Sequence, residues 1–441
     1  MPILWNYLAL LVCLDTQQVQ SGIDAQSRLK KPFVLPAGIH TVGTLRLPSN
    51  SHLRFAPGAV LRMLKLNADY APPERLGFEP FADLETSRFE HALLFGSDAD
   101  NITIDGPGRI ECERTQRGGP KPISLRRCTK IKLDGFTIDQ APNYAVSLIG
   151  CERVDIGNLK ITRAHADGID LDCTRNARIH DCDVESFDDA ICLKTSASLR
   201  RKLPTSNVTV ENCRLRTGSV FFKLGTESYG DFSGIRMRNV TMTGGMGNRH
   251  GNPGIALETV DGGNIRNVEI RGVKMDRVGT PIFLRIGERK YAPSAPGAGE
   301  MDGIRLIDIE AKGTRYASVI AGLNDAPIRN LRLANIAVEP VGGEGMFDAK
   351  QRVPEARNAY PEPIQFGPIP ASAFYIRHVQ GLRREGLKYL LPAARPALIL
   401  ERVSGDWPGC SPAGQDRLVC GGSNPGRRLD AGARPQGTRL P

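Results

Sequence analysis

Apolar and polar residues alternate along much of this chain in an eight-residue frame that recurs every 23 to 36 residues. Apolar residues occupy the first, third, sixth and eighth positions, and Asn, Asp or Gly stands at the fifth. The copies are IKLDGFTI (131–138), VDIGNLKI (154–161), ARIHDCDV (177–184), VTVENCRL (208–215), IRMRNVTM (235–242), VEIRGVKM (268–275), IRLIDIEA (304–311) and LRLANIAV (331–338). A period of this length is typical of solenoid proteins.

Each copy predicts two short strands joined by a tight bend. Alternating apolar residues turn one side of a strand toward the core, and Asn, Asp and Gly tolerate the left-handed backbone that a tight bend needs. Such a unit buries its apolar side only when it stacks on its neighbours. We therefore expect an all-β solenoid whose successive coils lie ~4.8 Å apart.

The frame also sets the predicted domain boundaries. Residues 15–405 form one domain, which begins with an amphipathic helix over 15–29 that carries Val19 and Ile23 on one face and caps the first coil. Residues 1–14 are apolar like a signal peptide but lack a preceding basic residue and a following cleavage site, so we expect a poorly packed remnant. Residues 406–441 are rich in Gly, Pro and Arg, which predicts a disordered tail.

Composition narrows the class of partner. The chain of 441 residues has a formal net charge of +10, which would attract nucleic acid, a membrane surface or an acidic polysaccharide. Its Lys and Arg residues are scattered and form no nucleic-acid-binding motif, and no apolar stretch is long enough to span a bilayer. We expect a glycan partner, no nucleic acid, no membrane span and a monomer.

The ten cysteines contain no CxxC pair, which argues against a zinc ribbon. Cys182 and Cys213 share the sixth frame position with apolar residues, so stacking in the core is favoured over a redox or metal role. Cys410 and Cys420 lie close together in the Gly- and Pro-rich tail, where a disulfide is plausible.

Carboxylates cluster in two consecutive copies of the repeat. HADGID places Asp167 before one strand, and FDDAIC places Asp188 and Asp189 before the next. Asp167 and Asp189 are 22 residues apart, which is one coil, so all three acids should share one face. Adjacent carboxylates raise the pKa of at least one member, which suits acid–base hydrolysis of a glycoside. Capping of turns by these acids is an equally good interpretation of the residues alone.

The acids also carry a family resemblance. DGID followed one coil later by DDAICLK, with NITIDGPGRI at 101–110, resembles glycoside hydrolase family 28, which includes polygalacturonases and rhamnogalacturonases. The resemblance spans about residues 15–404 and implies a single-stranded right-handed parallel β-helix of the pectin-lyase-like type. It also implies Asp188 as the acid, Asp167 and Asp189 as bases that activate water, and inverting hydrolysis without metal or cofactor.

Three motifs depart from the family pattern. The family's Asn-Thr-Asp is here His165-Ala166-Asp167, its Gly-His-Gly falls near 219–221 without a His, and its Arg-Ile-Lys falls at Ala256-Leu257-Glu258. In the family that Arg and Lys hold the carboxylate of galacturonate. Glu258 would repel this carboxylate, so a neutral or differently placed acidic sugar is expected.

Further charged residues follow the same strands. Alignment of ICLK, VFFK, IALE and IFLR predicts that Lys194, Lys223, Glu258 and Arg285 form one outward column. The column is either a ladder of salt bridges or, as we favour because of the nearby acids, a cradle for substrate. Other candidate substrate-binding residues are His165 and Glu227, although Glu227 is equally well explained as a turn acid.

The function predicted from the sequence is hydrolysis of α-linked glycosides in a pectin-type polysaccharide by a secreted or periplasmic enzyme. Two alternatives remain at this point. A polysaccharide lyase on the same fold would need Ca²⁺ and a basic residue, and a non-catalytic β-helix would bind glycans without the three acids having a role.

Overall fold

The computed structural model describes residues 13–79, 82–245, 252–290, 297–341, 351–389, 396–405, 407, 409–413 and 416–420. Within these residues there are two α-helices, α1 (Thr16–Leu29) and α2 (Leu84–Ser87), and two 3-10 turns, Asn67–Asp69 and Pro363–Phe366. All other regular structure is β-strand. No helix among the described residues has the length and apolar character that crossing a membrane requires.

The strands of the first half are β1 (Phe33–Leu35), β2 (Gly38–Val42), β3 (Leu45–Arg46), β4 (His52–Phe55), β5 (Ala59–Met63), β6 (Ala92–Ser97), β7 (Asp100–Asp105), β8 (Arg109–Glu111), β9 (Lys121–Arg126), β10 (Thr129–Asp134), β11 (Thr137–Asp139), β12 (Val146–Ile149), β13 (Glu152–Gly157), β14 (Lys160–Ala164), β15 (Ile169–Asp172), β16 (Arg175–His180), β17 (Asp183–Ser186) and β18 (Ile191–Thr195). The strands of the second half are β19 (Thr205–Glu211), β20 (Arg214–Thr217), β21 (Phe222–Ser228), β22 (Phe232–Gly244), β23 (Ile255–Thr259), β24 (Ile265–Asp276), β25 (Ile282–Ile286), β26 (Met301–Thr314), β27 (Ser318–Ala321), β28 (Ile328–Arg329), β29 (Arg332–Pro340), β30 (Phe374–Gln380), β31 (Arg383–Glu385), β32 (Lys388–Tyr389), β33 (Leu398–Val403), β34 (Cys410–Pro412) and β35 (Arg417–Cys420).

The strands pair in parallel with their equivalents one coil away and form three stacks. Stack 1 begins β1–β4–β7–β10–β13–β16–β19, and stack 2 begins β2–β5–β8–β11–β14–β17–β20; the long strands β22, β24, β26 and β29 continue both. Stack 3 runs β3–β6–β9–β12–β15–β18–β21–β23–β25–β27–β30–β33. This is the predicted right-handed parallel β-helix.

The bend between stacks 1 and 2 is the fifth position of the eight-residue frame. Every residue there has a positive φ, between 51° at Asn335 and 81° at Gly135, as the sequence predicts. Asn side chains at this bend also bond along the stack, for example Asn335 Nδ2 to Asp308 Oδ1 at 2.9 Å. The sixth position, which includes Cys182 and Cys213, is buried in the core throughout the eight copies. The frame therefore encodes both the bend and the core column.

Additional elements pack on the first and last coils of the solenoid. The predicted cap helix is α1, which starts with a capping box in which Asp15 Oδ1 accepts from Gln18 N at 2.8 Å. Val19 and Ile23 are buried against the first coil. At the other end, β35 pairs antiparallel with β33 and β34 and so occupies the outer edge of stack 3.

The predicted boundary of the tail at residue 406 is wrong for part of the segment. Residues 410–412 and 417–420 are strands, and Cys410 and Cys420 form a disulfide. The apolar residues Leu418 and Val419 pack on the last coil, which the composition of the surrounding segment conceals. Residues 1–12 and 421–441, where the remnant and the rest of the tail were expected, lie outside the described residues.

Core packing should dominate stability. Leu224 is fully buried between Leu193 and Leu257 of adjacent coils. Leu224→Ala should lower the free energy of unfolding by about 2–5 kcal/mol, because it removes apolar contacts and leaves a cavity. Urea titration followed by circular dichroism measures the change, with the exposed Thr241→Ala as control. Equal midpoints for the two variants would contradict this view of the core.

Candidate active site

The cleft that contains the three predicted aspartates lies on the outward face of stack 3, over strands β15 to β23. It has a volume of about 480 Å³. Its ionisable lining residues are Asp83, Arg117, Tyr144, Asp167, Asp188, Asp189, Lys194, Lys223, Glu227, Glu258, Tyr360 and Glu362. Charged groups thus dominate a site of the size that small ligands occupy.

Asp167 and Asp189 occupy equivalent positions on neighbouring coils. Gly168 N bonds to Asp189 O at 2.8 Å, and Ile169 pairs with Ile191, which fixes the offset of 22 residues that the sequence predicts. One carboxylate oxygen of each aspartate and Cys192 Sγ lie within 4.8 Å of one another. The backbone register therefore forces two buried carboxylates together.

Asp189 is held by three donors. Its Oδ1 accepts from Ser219 Oγ at 3.0 Å and from Val220 N at 3.2 Å, and its Oδ2 lies 3.2 Å from Lys223 Nζ. These bonds come from the next coil and fix the orientation of the carboxylate. An oriented carboxylate is suited to accept a proton from water.

Asp167 has a different environment. Lys194 Nζ lies 3.3 Å from Asp167 Oδ2 but 2.6 Å from Asp170 Oδ2, so the lysine pairs mainly with Asp170. Burial raises the pKa of Asp167 well above its usual value; Lys194 opposes this shift, while Asp188 and Asp189 add to it. Burial therefore favours the protonated form of Asp167.

Asp188 is partly exposed and pairs with Arg117, which also binds Glu85. Burial works to raise the pKa of Asp188, but the charge and hydrogen bond of Arg117, together with Lys223, outweigh it and lower the pKa. Asp188 is thus ionised in the free enzyme. A general acid must be protonated, so the acid role requires Arg117 to release Asp188 when substrate binds.

Glu227 is buried at the end of β21 and is not a solvated turn acid. Its Oε1 lies 3.5 Å from Arg289 Nη2, and Arg289 also pairs with Asp261 at 2.6 Å. Burial opposes ionisation, yet Lys194, Arg289 and Lys223 together lower the pKa of Glu227. Glu227 therefore supplies a negative charge to the cleft.

The pKa of Glu258 shifts in the opposite direction to that of Glu227. Its side chain is buried, and its Oε2 has no hydrogen-bond partner among the described residues. Burial raises the pKa of Glu258 to about 8, with Lys223 opposing the shift. Gly225 makes room for it, since a Cβ at that position would lie 3.1 Å from the Cβ of Glu258. Glu258 is therefore a neutral carboxylic acid in the cleft at pH 7.

The predicted outward column is only partly correct. Leu193 and Leu257 both pair with Leu224, so Lys194 and Glu258 each occupy the next position along their strands. Glu258 in turn pairs with Arg285. Lys223 instead pairs with Cys192 and Ala256, two residues away along the strand. The difference arises because Ile191 pairs with Phe222, so ICLK aligns with FKLG and not with VFFK. Neither a continuous ladder nor a four-residue cradle forms.

Two predicted substrate-binding residues do not line the cleft. Arg285 is buried, and its Nη2 donates to the carbonyls of Glu355 and Ala356 at 2.9 and 2.8 Å. His165 stacks on Phe187 with ring centroids 5.2 Å apart and bonds to the Arg114 carbonyl. Both residues pack against other parts of the protein in this structure, and their role in substrate binding stays a prediction.

Several residues of the cleft escaped the sequence analysis. Arg117 and Asp83 come from irregular loops far from the repeat, and Tyr360 comes from a segment between β29 and β30. Asp170 carried a signal, because it follows Asp167 at the next outward position of HADGID. Arg117, Asp83 and Tyr360 carried no such signal in the sequence, because only folding brings these loop residues next to stack 3.

The trio Asp167, Asp189 and Cys192 is a poor cation site. Burial raises the pKa of the Cys192 thiol well above its usual value, and the thiol bonds to the Gly225 carbonyl at 3.0 Å. Lys194 and Lys223 already neutralise the neighbouring carboxylates. A divalent ion here would face two ammonium groups and a protonated thiol.

The neutral state of Glu258 predicts an effect on stability. Folding raises its pKa from 4.5 to about 8, so between these values the folded protein holds a proton that the unfolded chain releases. Stability should therefore fall as pH rises across this window, by up to about 1.4 kcal/mol per pH unit from this group. Glu258→Gln should remove this fall, whereas the half-buried Glu185→Gln should not. Urea midpoints between pH 5 and 8 measure both, and parallel curves for wild type and Glu258→Gln would contradict the assignment.

Known proteins with similar sequences include polygalacturonases. A "Probable polygalacturonase" from Arabidopsis thaliana is 23% identical over 56% of this chain and 57% of its own length. One from Vitis vinifera is 22% identical over 74% of this chain and 71% of its own length. The chain thus spans little more than half of the first relative.

Solved structures share the fold. An exopolygalacturonase from Thermotoga maritima superposes with a TM-score of 0.67 at 16% identity, over 85% of this chain and 88% of that one. A family 28 exopolygalacturonase from Yersinia enterocolitica superposes with a TM-score of 0.65 at 16% identity, over 90% of this chain and 74% of that one. The family model for glycosyl hydrolases family 28 matches residues 87–350, more than half of the chain. The resemblance in the sequence is confirmed: this chain belongs to glycosyl hydrolases family 28.

Proposed function

We propose that this enzyme cleaves α-linked glycosides of a pectin-type polysaccharide by inverting acid–base hydrolysis. The observation that carries the proposal is the convergence of Asp167, Asp188 and Asp189 in one cleft. The polygalacturonase relatives support a pectin-type polymer as the substrate. Screening purified protein on defined pectic oligosaccharides tests the activity, and proton NMR of the first product tests inversion.

In the proposed reaction, Asp188 donates its proton to the glycosidic oxygen while the bond from this oxygen to the anomeric carbon breaks. A carboxylate, Asp189 or Asp167, takes a proton from water, and the water oxygen attacks the anomeric carbon from the opposite face. Asp188 ends ionised and the base ends protonated. Proton exchange with solvent then restores the starting state.

The resting charges require one rearrangement before this step. Burial favours the protonated form of Asp167, while Asp188 is paired with Arg117. A sugar that displaces Arg117 from Asp188 would raise the pKa of Asp188, and the close carboxylates allow the proton to redistribute among them. Glu85 remains available to pair with Arg117 after the displacement.

The sugar next to the cleaved bond is proposed to be neutral, or to carry its carboxylate elsewhere. Lys194 and Lys223 are each paired with aspartates, and Arg117 is shared between two acids. Glu258 adds an uncharged carboxylic acid in place of a cation. A uronate carboxylate at this position would therefore meet compensated charges and additional acids such as Glu227.

We also propose that the protein acts outside the cytoplasm as a monomer. A polysaccharide is too large to reach an enzyme inside the cell intact, and the Cys410–Cys420 disulfide is favoured in an oxidising compartment. Fractionation of the producing cells tests the location, and light scattering of the purified protein tests the oligomeric state.

The role of Asp188 gives a direct test. Asp188→Asn should lower kcat by about 10²–10⁴ on oligosaccharides with natural linkages, because the leaving sugar then departs without a proton. A nitrophenyl glycoside needs less acid assistance and should lose far less activity. Calorimetry should show that binding is largely retained.

The matched control is Asp183→Asn, which lies on stack 2 away from the cleft and should behave as wild type. Full activity of Asp188→Asn on a natural linkage would overturn the assignment and make Glu227 the next acid to test. Appearance of the ultraviolet absorbance of an unsaturated uronate would indicate a lyase instead.

Arg117 should control the pH range of the acid. Arg117→Gln removes the cation that lowers the pKa of Asp188, so Asp188 stays protonated to higher pH. The alkaline limb of the kcat/KM profile should therefore move to higher pH than in wild type. Arg126→Gln, whose partners Glu74 and Glu90 lie outside the cleft, serves as control. If the alkaline limb of the kcat/KM profile of Arg117→Gln stays at the wild-type pH, the ionisation of Asp188 does not determine this limb.

A further inference from the structure

The outward face of stack 3 extends far beyond the cleft on both sides along the solenoid. A polymer bound through an internal segment would need this face to be open in both directions. The exposure of its outward residues therefore distinguishes a groove for internal segments from a pocket for a chain end.

On the side of β25 to β33 the face is covered by residues 351–369, which we call the strap. Beneath the strap, the outward side chains of consecutive strands are at most 1% exposed: Phe283, Val319, Tyr375 and Ile399. Val353 and Phe366 of the strap pack in the same apolar cluster. No sugar has access to this part of the face.

Two buried arginines fasten the strap. Arg285 donates to the carbonyls of residues 355 and 356, and Arg377 donates to those of Val353 and Pro354 at 3.0 and 2.9 Å. Both guanidinium groups also lie against the Phe366 ring, at 5.0 and 5.8 Å from its centroid. Cations bound to carbonyls and an aromatic face hold an irregular segment firmly.

The edge of the strap forms one wall of the cleft. Tyr360, Glu362 and Ile364 line it, and Tyr360 Oη accepts from Thr226 Oγ1 at 2.9 Å. Arg357 pairs with Glu288 and Asp325 at 2.9 and 2.8 Å, which fixes the strap beside the wall. Ile364 remains 75% exposed at the rim, where it can contact a sugar ring.

The opposite side is closed as well. On β9 and β12 the outward residues Lys121, Ser124 and Ser147 are at most 3% exposed. They are covered by the segment around α2, where Ser87 Oγ bonds to Ser198 Oγ at 2.9 Å and Lys121 Nζ lies 4.3 Å from the Phe89 ring centroid. Arg117, paired with Glu85 of α2, completes this wall.

Given the proposed function, we infer that the enzyme acts on the end of a glycan chain and releases short products. The terminal sugar enters a pocket of about 480 Å³ between α2 and the strap, and the remaining chain leaves through the open mouth toward solvent. An internal segment cannot lie across the acids because both directions along stack 3 are filled.

The first test follows the mode of cleavage on a pectic polymer that the enzyme degrades. Mono- or disaccharides should be the products from the earliest time points, and viscosity should fall slowly relative to the release of reducing ends. An early mixture of long oligosaccharides with a rapid loss of viscosity would overturn the inference while leaving the hydrolase function intact.

A binding test separates the two hypotheses further. Pectic oligosaccharides carrying a bulky fluorophore at one end, at the other end or at both are titrated into Asp188→Asn. One singly tagged form should bind, and the other and the doubly tagged form should not. Equal binding of all three would overturn action at a chain end, and failure to bind or cleave any glycan would overturn the proposed function together with it.

A variant in which the strap wall of the cleft is opened tests whether this wall blocks the glycan chain. Replacement of residues 361–364 by Gly-Ser-Gly-Ser removes the rim but leaves Phe366 and the carbonyls that bind Arg285 and Arg377. The variant should bind the doubly tagged oligosaccharide and produce longer early products. A melting temperature near that of wild type verifies the fold, and an unchanged product pattern in a folded variant would show that this wall does not block the chain.

Discussion

The hydrogen-bonded register between coils is the constraint on which the active site depends. Once Ile169 pairs with Ile191, Asp167 must lie beside Asp189, about one strand spacing away. Two carboxylates at this distance cannot both be ionised without compensation. The fold therefore brings two carboxylates close enough to repel each other. It also places the lysines of neighbouring strands where they reduce this repulsion.

The cations that compensate the charges of the three carboxylates are unevenly distributed, so each acid has a different electrostatic environment. Asp189 receives a lysine and two further donors, whereas Asp167 shares its lysine with Asp170 and has a raised pKa. Asp188 meets an arginine from a loop outside the repeat. Because this arginine is partly exposed while the lysines are buried, Arg117 is the cation that a substrate can displace with the least disruption of the core.

The sequence predicted the features that recur and missed those that do not. Left-handed bends at Gly135 and Asn335, and the offset between Asp167 and Asp189, follow from local pattern and repeat length. Lys223 leaves the predicted column because Ile191 pairs with Phe222, whereas the apolar run VFF also permits an alignment two residues earlier. Long insertions are a second cause of failure, because the strap that buries Arg285 contains no copy of the frame.

Under the proposed function, the irregular register of β21 and the strap bear on which sugar the pocket accepts. Gly225, at the irregular register of β21, has no side chain and admits the Glu258 side chain close to this strand, where burial raises the pKa of Glu258 to about 8. The strap uses Arg285 for its own attachment, so this cation is withdrawn from the face that a uronate would contact. A neutral acid and a sequestered arginine both lower the attraction for a carboxylate next to the acids. Under the proposed function, the covering of stack 3 beyond β23 would contribute to both selections, because the strap sequesters Arg285 and also closes this side of the cleft.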